Sequence, residues 1–302
     1  MKASNRNGIF FAILAAALYA ISAPFSKRLL DYLPSTLLAG FLYIGAGIGM
    51  GFIAVTRKVT HHSGCEENLT KAELPYTIAM IVLDIAAPIF LLLGLSMTTA
   101  ANVSLLNDFE IVATAIIALM VFKESISPRL WSGILFVTAS CLLLSFEDIS
   151  SLQFNIGSFF VLLASICWGI ENNCTRKLSS KDPMQIVMLK GIFSGSGSII
   201  IGFIIGERIS NAWSIPLVLL LGFIAYGLSI YAYVYAQRIL GAARTSAYYA
   251  VAPFIGVILS LLIFREIPGI LFIAALILMA IGAWLASQDK PLKEVFRKHQ
   301  NP

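Results

Sequence analysis

Gly8–Leu29 reads GIFFAILAAALYAISAPFSKRL, and Gly157–Leu178 reads GSFFVLLASICWGIENNCTRKL. At an offset of 149 the two share a glycine, a Phe-Phe pair, a Leu-Ala pair, an isoleucine and the last leucine. Tyr19 stands over Trp168, and Lys27-Arg28 over Arg176-Lys177. A second match, at an offset of 142, lays Ala100-Ala101-Asn102-Val103-Ser104 over Ala242-Ala243-Arg244-Thr245-Ser246, and Phe122-Lys123-Glu124 over Phe264-Arg265-Glu266. Repetitive apolar sequence would not reproduce charged punctuation of this kind. The chain reads as two related halves, 1–150 and 151–302.

Each half is built for a bilayer. Hydrophobic residues make up 58% of the chain and charged ones 12%, against about 25% charge in an average soluble domain. A hydrocarbon core about 30 Å thick takes about 20 apolar residues per helix. On that ruler ten spans emerge: 8–27, 34–56, 75–97, 100–121, 128–146, 156–176, 184–206, 213–236, 241–264 and 268–287. The expected fold is an all-α polytopic membrane protein of ten transmembrane helices. Five spans per half is an odd number, so the second half enters the membrane inverted. Inverted repeats are a common architecture of alternating-access transporters, with the solute site near mid-membrane between the halves.

The basic residues set the orientation. With the N-terminus in the cytoplasm, sixteen Lys and Arg fall on the inner side and four (Lys27, Arg28, Arg208, Arg265) on the outer, while Lys190 lies within a span. Both termini are therefore expected in the cytoplasm, in a plasma membrane or its bacterial inner-membrane equivalent. Met1–Arg6 and the following apolar run resemble a secretory signal, but the repeat counts this helix as a retained member of its half. The net charge of +5 is clustered between spans, not laid out as a basic stripe, so nucleic acid is not an expected partner. Lipid and a small-molecule substrate are.

Ten spans in two five-helix halves, an aromatic-rich helix opening each half, and Phe-[Lys/Arg]-Glu closing the fourth helix of each together resemble the EamA-type members of the drug/metabolite transporter superfamily. That resemblance covers essentially the whole chain and implies transport of small metabolites driven by solute or proton gradients. It implies no particular substrate, because members carry solutes as varied as amino acids and quaternary amines. Pro253 matches the proline usual in the ninth span; its counterpart in the fourth is Ile111, preceded by Glu110.

Charges within spans are costly and point to function. Asp84 lies nine residues into the third span, roughly 14 Å deep at 1.5 Å per residue, with Tyr226 as its repeat-mate. In the fourth span Asn107 and Glu110 share a face while Asp108 turns roughly 100° away, so Asp108 is expected to act as a structural partner or second proton site. Burial disfavours the ionised form of a carboxyl, which suits proton coupling. Glu171 and Lys190 lie at similar depth in the sixth and seventh spans and form either a structural pair or a gate. Tyr19, Trp168, Tyr226 and Tyr248 supply aromatic walls. With four buried acids and one buried lysine the site favours an amine, a cation or a zwitterion, aided by cation–π contact.

Other readings are weaker. Glycines spaced by four, such as Gly47/Gly51, Gly191/Gly195 and Gly202/Gly206, indicate close helix packing. His61-His62, Cys65 and Glu66-Glu67 fit no standard metal site, and no cofactor motif is present. An intramembrane enzyme would use the same carboxyls, but no histidine lies in any span and no serine nucleophile has a base at legible spacing. A membrane sensor or assembly partner is the remaining alternative.

Overall fold

Within hydrocarbon every main-chain N–H and C=O must be paired inside the protein, and an apolar run achieves that as a helix. The computed structural model describes residues 2–59, 67–122, 127–148, 153–240, 245, 248–265 and 268–287. Helices occupy each of the apolar runs. The first span is Lys2–Ala20 and Ser22–Leu29 with a turn at Ile21, the second Ser35–Val59 and the third Leu74–Met97. The fourth is divided into Ala100–Leu106 and Phe109–Phe122; the fifth is Pro128–Ser145 and the sixth Ile156–Leu178. The seventh runs from Pro183–Leu189 through a π-helical turn, Lys190–Ser194, into Gly195–Ile204. The eighth does likewise, from Ile215–Gly222 through Phe223–Leu228 to Ser229–Leu240. Ala252–Phe264 and Ile270–Ser287 form the ninth and tenth.

Among the described residues, seven helical stretches are long and apolar enough to cross a membrane, and two apolar helices are shorter. Ile156–Leu178 has the length but carries Glu171, Arg176 and Lys177. Large apolar side chains such as Phe52, Ile204, Leu262 and Ile270 point outward, as lipid-facing residues should. A two-stranded ribbon, Phe146–Asp148 against Gln153–Phe154, joins the fifth and sixth spans. It is the only β pairing among the described residues, and it starts where the fifth span was expected to finish.

The packing puts the third span along the sixth, the first along the eighth, and the fifth along the tenth. The second lies against both the seventh and the eighth. Glycine makes that contact possible: an added Cβ on Gly191 would lie 2.2 Å from the Gly47 nitrogen, and one on Gly222 would lie 2.0 Å from the Leu42 carbonyl. The glycine sets of the second and seventh spans thus face each other inside one chain.

Side chains close the helix ends. Glu207 accepts from the amides of Thr36 (3.2 Å) and Leu37 (2.9 Å) at the start of the second span, where negative charge also complements the helix dipole. Lys27 donates to the carbonyls of Leu95 (2.5 Å) and Thr98 (2.7 Å) at the end of the third. At the opposite end of the bundle Arg238 donates to the Ser179 carbonyl at 3.2 Å and to the Lys181 carbonyl. Lys181 in turn pairs with Glu67 at 3.0 Å, a hydrogen bond that pushes its ammonium pKa up.

Three features differ from expectation. The fourth span breaks at Asn107-Asp108, a turn lies at Ala250-Val251 before the ninth helix, and the seventh and eighth spans widen into π turns. The matched Lys123-Glu124, Ala242–Arg244, Ser246 and Glu266, with His61, His62, Cys65, Glu66 and the basic tail, lie outside the described residues.

Candidate functional site

The third, sixth and seventh spans bring three charges together. Asp84, Glu171 and Lys190 are 1%, 4% and 3% exposed. The Lys190 ammonium lies 3.2 Å from Asp84 Oδ2 and donates to Glu171 Oε1 at 2.5 Å. Tyr43 donates to Asp84 Oδ1 at 3.0 Å, and Thr175, one turn along the helix from Glu171, donates to Glu171 Oε1. One lysine therefore holds two carboxylates, and neutral donors satisfy part of what remains. A buried ion pair adds little stability over apolar packing, yet removing one partner is expensive. The expected Glu171–Lys190 pair is present, with Asp84 as its third member.

Glu110 stands apart from that triad. Its Oε1 accepts from Asn172 Nδ2 at 2.5 Å, and no ion pair among the described residues includes it. Asn172 also reaches Thr114 Oγ1 at 3.4 Å. Asn173 is spent on the carbonyls of Gly169 (2.8 Å) and Thr114 (3.2 Å), which ties the fourth span to the sixth.

Aromatic rings lie between two cavities among the described residues. Tyr19 lies 6.3 Å from Trp168, 5.8 Å from Tyr226 and 5.9 Å from Tyr249, centroid to centroid, and Tyr226 lies 5.2 Å from Tyr43. Ser22 donates to the Tyr226 hydroxyl at 3.3 Å. The first cavity, about 590 Å³ of empty space, is walled by the first, third, fourth and ninth spans. It takes in Ser104, Asn107, Asp108, Ile111 and Pro253. The second, about 530 Å³, is nearer residues 179–182 and holds the charge triad with Trp168, Tyr226 and Tyr233. Tyr19, Glu110 and Tyr249 line both. Beyond the second cavity the bundle is filled by the buried cluster Met80, Leu178, Ile186 and Val234.

The backbone is irregular where this chemistry sits. Both π turns carry site residues, Lys190 in one and Tyr226 in the other; such turns are frequent at functional sites. The break in the fourth span falls on Asn107-Asp108.

Nine of the ten expected site residues, Tyr19, Asp84, Asn107, Asp108, Glu110, Trp168, Glu171, Lys190 and Tyr226, line one cavity or both. Tyr248 does not: it is 38% exposed, and its neighbour Tyr249 takes the interior place. Asp108 was expected to turn away from Asn107 and Glu110, as a continuous helix demands. The break lets all three line one wall. Tyr43, Asn172, Thr175 and Ser22 were missed. Thr175 was legible as Glu171's partner four residues on, whereas Tyr43 gave no signal within its glycine-rich helix.

The comparisons with known proteins agree with a transporter scaffold. The model of the EamA-like transporter family matches residues 6–146 and again 155–288. A Methanothermobacter thermautotrophicus protein named as an uncharacterized transporter is 26% identical over 294 residues, covering 92% of this chain and 85% of the relative. The uncharacterized transporter YyaM of Bacillus subtilis is 22% identical over 232 residues, with 74% and 75% covered. A solved crystal structure superposes with a TM-score of 0.67 over the full length of both chains at 16% identity, a likeness of fold alone. Matched over nearly all its length, the chain belongs to the EamA-like transporter family and is a multi-pass integral membrane protein.

Proposed function

We propose that this protein is a secondary transporter that moves a small cationic or zwitterionic metabolite by alternating access. The observation that carries the reading is the meeting of two cavities at Tyr19, Glu110 and Tyr249, beside the Asp84–Lys190–Glu171 triad. Glu110 has no cationic partner among the described residues and is flanked by aromatic rings. A solute ammonium would find there both a carboxylate and a cation–π wall. The triad offers an exchangeable ion pair: a solute charge or a proton that competes for Asp84 or Glu171 loosens the Lys190 tie between the third, sixth and seventh spans.

The two halves, 1–150 and 151–302, are interleaved, and in this reading alternating access rearranges the contacts between them. The family model matches the chain in two successive stretches, and helix contacts correspond across the repeat. The first span on the eighth mirrors the sixth on the third, while the second meets the seventh and the fifth meets the tenth. Closure near residues 179–182, by the apolar cluster and the Arg238 and Lys181 contacts, fits one end state of such a cycle. A plasma membrane with both termini in the cytoplasm remains the orientation favoured by the basic residues.

Purified protein screened against amines, amino acids and nucleosides should be protected from thermal unfolding by an amine or an amino acid and not by the uncharged nucleosides, since a ligand of the folded state stabilises it by mass action. Glu110→Gln should abolish the protection while leaving the apo protein folded. Equal protection of both proteins would remove Glu110 from the site.

A further inference from the structure

The first cavity contains an arrangement that solute recognition does not use. Three buried oxygens on one cavity wall, Ser104 Oγ, Asn107 Oδ1 and Asp108 Oδ2, have no hydrogen-bond partner. Their side chains are 7%, 7% and 5% exposed, and all three residues line the same cavity. Leaving one such atom unpaired costs about 1–3 kcal/mol, so three in one place ask for a missing electropositive group. The backbone adds a fourth acceptor. At the break the Asp108 amide bonds to Leu105, three residues back, at 3.2 Å. That geometry releases the Ser104 carbonyl from the ordinary helical pairing four residues on.

The charge around these atoms is one-sided. No ion pair among the described residues reaches Asp108. The ionisable groups facing it are the Glu110 carboxyl, on its own span, and the Cys141 thiol, on the fifth; neither supplies positive charge. The Tyr19 phenol lies beside Asn107. The unpartnered atoms are all oxygen, which selects a hard cation, and the single carboxylate among them suits a single charge. Interrupted helices that offer main-chain carbonyls are a general way of binding such ions within a bilayer. Across the cavity an added Cβ on Gly256 would lie 2.7 Å from Ser104 Oγ, so the ninth span leaves room for that hydroxyl only because it has glycine there.

We infer that Ser104, Asn107 and Asp108, with main-chain oxygen from the break in the fourth span, form a binding site for a monovalent alkali cation of sodium size, separate from the Glu110 and Lys190 groups. It rests on the transporter reading only for its role in coupling; the binding itself is measured without any solute. Full-length protein in detergent would be unfolded thermally in NaCl, LiCl, KCl and choline chloride at matched ionic strength, at pH 5.5 and pH 8. The expected result is a saturable rise in Tm with Na⁺ that choline does not give. Asp108→Asn should abolish the Na⁺ effect, and Ser104→Ala and Gly256→Ala should each weaken it by about tenfold or more, since each removes or displaces a charge-linked oxygen contact. If Asp108→Asn does not fold, these two variants decide. Identical Tm in all four salts at both pH values, pH dependence without cation dependence, or a Na⁺ effect untouched by the variants would each overturn the proposal. Na⁺ binding in a protein that moves no solute would sink the transporter reading and leave this site standing.

Discussion

Lys190 is the residue on which the most buried charge depends. Its ammonium is shared between Asp84 at 3.2 Å and Glu171 at 2.5 Å, and without it two carboxylates would face each other in a desolvated space. Lys190→Ala should therefore destabilise the fold by about 3–5 kcal/mol, read as a lower midpoint in thermal or chemical unfolding. Combining it with Asp84→Asn and Glu171→Gln should restore most of the loss, since no uncompensated charge would remain. A triple variant as unstable as the single one would show that packing, not charge, is at stake. Tyr43→Phe is the milder counterpart. It removes one hydrogen bond to a carboxylate, worth about 1.5–3 kcal/mol, and solute affinity should change less than in Glu110→Gln.

Elements carry the second level of the account. The second span meets the seventh and eighth almost backbone to backbone, with Gly47 against Gly191 and Gly222 against the Leu42 carbonyl. Gly191→Val or Gly222→Val should cost about 1–3 kcal/mol or more by overpacking, visible as poorer yield of monodisperse protein and a lower Tm, whereas Gly269→Ala, with nothing within 4 Å, should be neutral. How far such elements can be read from sequence depends on what made them. Apolar length and the Lys/Arg punctuation are local properties, and the helices fall on the runs that carry them. The break at Asn107-Asp108 was not legible, because no glycine or proline marks it and Ile111 stands where the ninth span has Pro253. That break changes the phase of the helix and brings Asp108 to the wall with Glu110. A similar turn at Ala250-Val251 lies beside Tyr249, the interior tyrosine. Tyr249 is the repeat-mate of Asn107 at the offset of 142, so the repeat pointed to the tyrosine that lines the cavities although Tyr248 was expected. The π turns at Lys190 and Tyr226 leave no mark in the apolar pattern.

Among the described residues two cavities meet at the centre of the molecule, and a buried apolar cluster lies beyond one of them. Met80, Leu178, Ile186 and Val234 fill the space beyond the second cavity, with Cys174 packed against them, and Arg238 fastens the chain at Ser179 and Lys181 above it. If this end opens during transport, Arg238→Ala should favour the open form and raise the rate at which a small maleimide labels Cys174, in protein whose other cysteines are replaced. An unchanged rate would mean that this end is a fixed floor. Transport through the centre is the claim on which the rest depends, and solute counterflow in liposomes tests it most directly. For a solute found by thermal protection, the wild-type protein should accumulate label against preloaded unlabelled solute, and Asp84→Asn with Glu110→Gln should reduce accumulation to that of protein-free vesicles. Wild-type counterflow from the double amide variant would contradict the account.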